Sequence, residues 1–412
     1  MKVRRNTLRL LKHYYKTENS EALLRSSSKL QVQSPNSIVA RAYTARALFM
    51  TSKYNQAAEI FESIIIPFPR LKKLYVEYLE SLWLSGQRSI YEVQAFRFFE
   101  YHFSAQICYR LGRLMVTQQR WRKALKCFLR LRAEEEGNLR KSGEIKLRAS
   151  LGKIYYYLGD FKSATNELDG VNTSMSYYYL GRIYADQSRP GMALQQLEKI
   201  QSIGMNESAL SLMRELQKDL GLLDAEQQTL HKLFRLYNVR EERLKVLDRL
   251  LWIAEKRDDH SSILQVLRLK RELGVHGILE LKKAAAAYWD QDKYREASKG
   301  YEKLLMISPF DEEALVRLSD YYRQEGNEKR AYQVLKSCYL SGKANSGIQL
   351  EYAECALLMD KVNEGRDVLL DMIEKGQESP RVNYLLWKIY DNQGKNKAAS
   401  YYKKLFQRSK AA

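Results

Sequence analysis

Proline is scarce in this chain of 412 residues, with 6 copies, and glycine is modest, with 20. So few breakers suit a polypeptide that is helical almost throughout. Cysteine is scarcer still. Cys108, Cys127, Cys338 and Cys355 form no C-x-x-C pair, so no disulfide framework is implied and buried, reduced thiols are expected. The five histidines (His13, His102, His231, His260 and His276) are scattered, with no carboxylate or thiol at metal-ligand spacing. There is no P-loop, no G-x-G-x-x-G after a strand, no H-E-x-x-H and no G-x-S-x-G. Neither a cofactor nor catalysis is therefore expected. No apolar run approaches the roughly 18 residues of a membrane span. In the opening MKVRRNTLRLLKHYYK, Lys12, His13 and Lys16 interrupt the apolar stretch that a signal peptide needs. No membrane association follows, and a cytoplasmic or nuclear location is expected.

What the chain has is a period. Counting units from Leu244, Ile278, Glu312, Ser346 and Pro380, each 34 residues after the last, the eleventh position holds Ala254, Tyr288, Tyr322, Ala356 and Tyr390. The twentieth holds Ile263, Ala297, Ala331, Gly365 and Ala399, four of the five small. Small residues at a fixed place let two helices cross closely. Upstream, units from Arg4, Ile38 and Lys72 are again 34 apart, and one at Ala105 follows after 33. The second reads Ala45, Leu48, Tyr54, Ala57 and Phe61; the fourth reads Gly112, Met115, Trp121, Ala124 and Phe128. This closely resembles the tetratricopeptide pattern, in which a small eighth residue packs under an aromatic eleventh. The resemblance implies an all-α superhelical solenoid of about twelve helix–turn–helix repeats, whose units stack because none can bury its apolar face alone. The charged stretch 130–146 is expected as a solvated loop or helix extension. Residues 72–104 and 206–239 read as helices without a clear register. The array divides into a basic part, 1–206, and a more regular part, 207–412.

Charge is unevenly placed. Of the net +20, residues 1–200 carry +16 and residues 201–412 carry +4. The first half should attract acidic peptides, nucleic acid or an acidic neighbour. In tetratricopeptides the first helix of each pair lines the groove, and its ninth position points inward. In the first six units that position holds Lys12, Arg46, Glu80, Arg113, Lys153 and Arg182, five of six basic. Such a wall would bind an acidic or carboxylate-terminated segment by charge-assisted hydrogen bonds. The alternative is a solvated face of a basic protein. Among 29 tyrosines, Tyr155 and Tyr177 fall at core places, which leaves Tyr156 and Tyr178 expected in the groove. Aromatics flanked by Arg and Lys suit an extended peptide, and also stacking on single-stranded nucleic acid. Tetratricopeptides overwhelmingly bind protein, so nucleic acid is the disfavoured ligand.

A narrower resemblance lies in RWRKALKCFLRL (120–131) and GEIKLRASLGKIYYYLGDFKSATNELDGV (143–171). Glu144, Ile145, Arg148 and Leu168-Asp169-Gly170-Val171 are similar to the early part of subunit 7 of the anaphase-promoting complex. That resemblance implies a non-catalytic scaffold of a ubiquitin-ligase assembly acting in the cell cycle. A bacterial or protist tetratricopeptide adaptor and a helical-repeat RNA binder are the alternatives. The last helix, near Lys395–Arg408, carries Tyr401, Tyr402, Leu405 and Phe406 with no later helix to cover them. A second copy or a neighbouring subunit at an uncapped end is therefore expected, unless those residues turn inward.

Overall fold

A computed structural model describes residues 5–202 and 206–411. Among them are 24 α-helices, one short 3-10 turn (Lys199–Ser202) and no strand. The helices form twelve consecutive pairs, A and B, from Arg5–Lys16 with Ser20–Gln33 to Pro380–Asn392 with Asn396–Ala411. Helices begin at Ile38, Lys72, Ala105, Ile278, Glu312, Ser346 and Pro380, the unit starts that the period indicates. The indistinct regions are also pairs: Lys72–Leu84 with Arg88–Tyr101, and Glu207–Asp219 with Leu223–Leu236. The charged stretch near 130–146 is divided between a turn, 135–140, and the ends of the two helices beside it. Trp121–Glu134 runs into it and Lys141–Tyr157, at 17 residues, leaves it. The helix before Gly170, Phe161–Leu168, is short, with only 8 residues.

Each A-to-B turn is closed the same way. One residue sits in the left-handed region, and the amide after it donates to the carbonyl of the eleventh-position residue. Thus Lys53 donates to Leu48, Arg120 to Met115, Lys293 to Tyr288 and Lys361 to Ala356. This six-residue closure satisfies a carbonyl that the end of helix A leaves orphaned. All twelve turns have it. Seven use a residue other than glycine, among them Ser52, Gln119, Asp258 and Asp360, and five use glycine, including Gly159 and Gly326. The eleventh position therefore fixes both a packing contact and the place where the chain reverses.

Helix A crosses helix B at the small eighth position. A Cβ on Gly112 would lie 2.8 Å from the Phe128 ring, and one on Gly181 would lie 2.9 Å from Leu197. Gly152 and Leu168 stand in the same relation. The twentieth residues Ala57, Ala124, Ala164, Ala193, Ala297 and Ala331 are wholly buried. The chain divides into two compact units, Met1–Ala209 and Leu210–Ala412. In the first, Phe61, Tyr75, Phe98 and Phe128 form one continuous core. In the second, Tyr301, Tyr322, Tyr352 and Leu386 do the same. All four cysteines are free and buried.

The last helix differs from the uncovered face expected of it. Tyr402 stacks on Tyr390, ring centres 5.7 Å apart, and Phe406 lies against Tyr384 and Trp387. Three of the four residues are half-buried, and Tyr401 alone of the four stands exposed. The aromatic rings turned inward because helix A of the same repeat offered them rings to stack on.

Candidate functional site

Two positions of helix A, the sixth and the ninth, lie one turn apart on the same face. Between successive repeats they form ion pairs. Arg46, ninth in repeat two, places Nε 2.8 Å and Nη2 3.0 Å from the carboxylate of Glu77, sixth in repeat three. Glu80, ninth in repeat three, receives both terminal nitrogens of Arg110, sixth in repeat four, at 2.5 and 3.1 Å. Burial, the largest influence, works against the charge on Arg46, but the hydrogen bonds and charge of Glu77, with Tyr15 and Tyr43, together outweigh it and raise its pKa. The guanidinium also lies over the rings of Tyr15 and Tyr43, at 5.2 and 5.1 Å. Arg46, Glu77, Glu80 and Tyr15 border a cleft of about 730 Å³, lined also by Phe49, Tyr54 and Val76. Arg46 is thus less a free groove cation than a strut between repeats.

The ladder stops at repeat four. Its ninth residue, Arg113, faces a repeat whose sixth position is Ser150, which supplies no carboxylate. Arg113 is exposed and has no partner among the described residues; Lys12 in repeat one is the same. Lys153, ninth in repeat five, meets an aromatic sixth residue, with Nζ 5.8 Å from the centre of the Tyr179 ring. Arg182, ninth in repeat six, donates through Nε to the Tyr156 hydroxyl at 3.1 Å and through Nη1 to the Tyr178 hydroxyl at 3.3 Å. From repeat four to repeat six the ninth positions therefore hold three cations with no carboxylate bound directly to them.

Tyr156 is not where the sequence reading puts it. Its ring is buried with Ala164, Leu168, Tyr179 and Ile183. Its hydroxyl donates to Asp186 at 2.8 Å while accepting from Arg182. Burial first, then the bond to Asp186, pushes its pKa up to about 12. Tyr155 is half-buried instead, and Tyr157 is exposed and stacked on Trp121 at 4.1 Å. Consecutive side chains on an α-helix point about 100° apart, so only one of three adjacent tyrosines can face the core fully, and here it is Tyr156. Tyr178 is half-buried, its hydroxyl on Arg182.

The second unit has a different chemistry at its sixth and ninth positions. Arg323 bridges Asp320, Glu351 and Glu354, and Arg381 grips Glu354 through two nitrogens at 2.6 and 3.1 Å. Trp252, ninth in its repeat and 42% exposed, is flanked by Arg249 at 4.1 Å and Lys256 at 5.1 Å. Sequence reading missed the sixth-position partners Glu77 and Arg110, although reading sixth and ninth places together would have exposed them. Among the described residues no three His, Cys, Asp or Glu side chains gather as a metal site. No helix among them is long and apolar enough to cross a membrane.

Residues 290–372 match the family described as subunit 3 of the anaphase-promoting complex, or cyclosome. No curated protein matches the chain in sequence. Among solved structures, one similar to it is that of Naa15/Naa10 bound to HypK-THB. It is 14% identical, with 96% of this chain and 67% of that chain covered and a TM-score of 0.43. Another is YrrB, described as a TPR protein with an unusual peptide-binding site. It is 15% identical over 45% of this chain and 96% of that one, with a TM-score of 0.38. A third is PilW, a type IV pilus biogenesis factor, 18% identical over 50% and 96%, with a TM-score of 0.39. Its 34-residue period, its phased small and aromatic residues and its twelve uniformly closed helix pairs give this chain a tetratricopeptide-like helical-repeat fold.

Proposed function

We propose that this protein is a non-catalytic scaffold that holds an extended acidic segment of another protein on the inner helices of its first unit. Arg113, Lys153 and Arg182, with the Tyr178 ring beside them, carry the contact. The single observation behind this reading is the end of the ion-pair ladder. Repeats two to four bind each other through Arg46–Glu77 and Arg110–Glu80, whereas the ninth-position cations of repeats four to six have no carboxylate of their own. A partner's carboxylates would complete the ladder with charge-assisted bonds. Lys12 plays a lesser part, and Arg46, already paired with Glu77, none. The match of 290–372 to an anaphase-promoting complex family, with the resemblance of 120–171 to another subunit, favours a multiprotein ubiquitin-ligase assembly as its setting.

Affinity capture with the full chain, followed by mass spectrometry, tests this. Captured proteins carrying acidic segments should be lost when Arg113 and Lys153 are both changed to Glu, and should elute with salt. Equal recovery by the charge-reversed variant at low salt would remove the inner face as the binding site. Captured RNA, seen as nuclease-sensitive absorbance at 260 nm, would favour the nucleic-acid alternative.

A further inference from the structure

The second unit carries a separate pocket where two B helices run into the turns that follow them. The end of His260–Glu272, the end of Tyr294–Ile307 and the start of Ile278–Trp289 enclose about 450 Å³. Leu267, Val275 and Leu281 form its apolar wall, and Met306 and Ile307 close it from above. Met306 is 82% exposed and Ile307 59% exposed. The repeat fold does not demand this. At the position equivalent to Met306, two other repeats of the same register place Glu272 and Glu374, residues at home in water. Beside the pocket, Ile278 and Leu279 are also exposed, and Leu340 repeats the apolar choice in the following unit. Apolar surface collected around a cavity and bordered by charge marks an interaction site.

The border is basic. Arg271 and Lys303 line the pocket, are exposed and have no partner among the described residues. His276 lines it too. The one lining carboxylate, Glu280, is already bonded to Lys270 at 2.9 Å, and the same ammonium binds Asp248 at 2.9 Å. Its charge is spent inside the protein. We infer that this pocket receives a short segment of a protein partner that offers one or two large apolar side chains flanked by Asp or Glu. The apolar residues would fill the space between Leu267, Leu281 and Ile307, and the acids would face Arg271 and Lys303. A concave site of this size fits side chains; a flat anionic bilayer presents headgroups that cannot enter it. The inference stands apart from the inner face of the first unit and shares no residue with it.

Selection of a displayed random peptide library on the full chain tests it, followed by fluorescence anisotropy with the enriched peptide. Enriched sequences should share large apolar residues next to Asp or Glu. Their affinity should fall about tenfold with Ile307→Glu, which places an exposed anion in the pocket mouth. Lys303→Glu should weaken binding in the same direction, and the Arg113→Glu/Lys153→Glu variant should bind as the wild type does. Both pocket residues are exposed, so circular dichroism melts should coincide with that of the wild type. An enriched motif without acids overturns the inference, as does binding that is indifferent to Ile307→Glu and Lys303→Glu. Ile307-dependent binding to phosphatidylserine vesicles, with no peptide enriched, would overturn it in favour of a membrane surface.

Discussion

At the scale of single residues, the close crossing of helix A over helix B depends on what is missing from the eighth position. Gly112 is buried against Phe128, and a branched side chain there would overlap a ring that is itself wholly buried. Gly112→Val should therefore lower unfolding free energy by about 1–3 kcal/mol in a urea titration. An unchanged midpoint would mean that the two helices part freely. Tyrosine ionisation offers a second check. Burial, the largest influence in each case, pushes Tyr75, Tyr156 and Tyr322 up to about 12 from an ordinary 10.0. Such a group stabilises the fold fully below the unfolded value. Between the two values the unfolded chain has lost the proton that the folded one retains, so stability falls as pH rises. Helical ellipticity should fall from about pH 10 to 12, together with the delayed tyrosinate absorbance at 295 nm. Free titration of every tyrosine near 10 with the helices intact would contradict these placements.

At the scale of the element, the A-to-B turn is the most regular feature of the chain. A left-handed residue costs about 1–2 kcal/mol when it has a side chain and little when it is glycine. Gly326→Ala should lower the melting temperature, and Gln119→Gly should raise it or leave it level, by amounts corresponding to roughly 1 kcal/mol. A fall for both would show that the side chain of Gln119 does more than tolerate its geometry. The same element scale explains where the period was legible. From Ile278 onward the small twentieth residue and the eleventh residue mark the turn directly. In the repeat at Lys72 the sizes are exchanged: Leu79 occupies the eighth place, Tyr91 the twentieth and small Ala95 the twenty-fourth, all buried. The volume is conserved while the pattern is not. In the pair beginning at Glu207, the twentieth place holds Glu226, fully buried and bonded to Arg249 at 2.8 and 2.9 Å. A charged residue there hides the register, because only its partner twenty-three positions on makes it a core residue.

At the scale of the whole molecule, the excess positive charge of residues 1–200 was plain in the sequence, but its availability was not. The ninth-position cations look equivalent when aligned. The structure separates them by their neighbours in the next repeat: Glu77 takes Arg46, while Ser150 leaves Arg113 with nothing. That distinction lies in contacts about thirty residues apart, which a single aligned column does not contain. Salt-dependent affinity measures it most directly. A fluorescein-labelled glutamate-rich peptide would be titrated with the full chain at rising sodium chloride. Wild-type binding should weaken steeply as salt screens the face, and Arg113→Glu/Lys153→Glu should bind about tenfold or more weakly at low salt with little remaining salt dependence. Replacing Arg46 and Glu77 together by Gln should change neither quantity, since that pair is already neutralised. If the Arg113→Glu/Lys153→Glu variant binds like the wild type at low salt, the inner cations of repeats four to six are a solvated face and the proposed function is wrong.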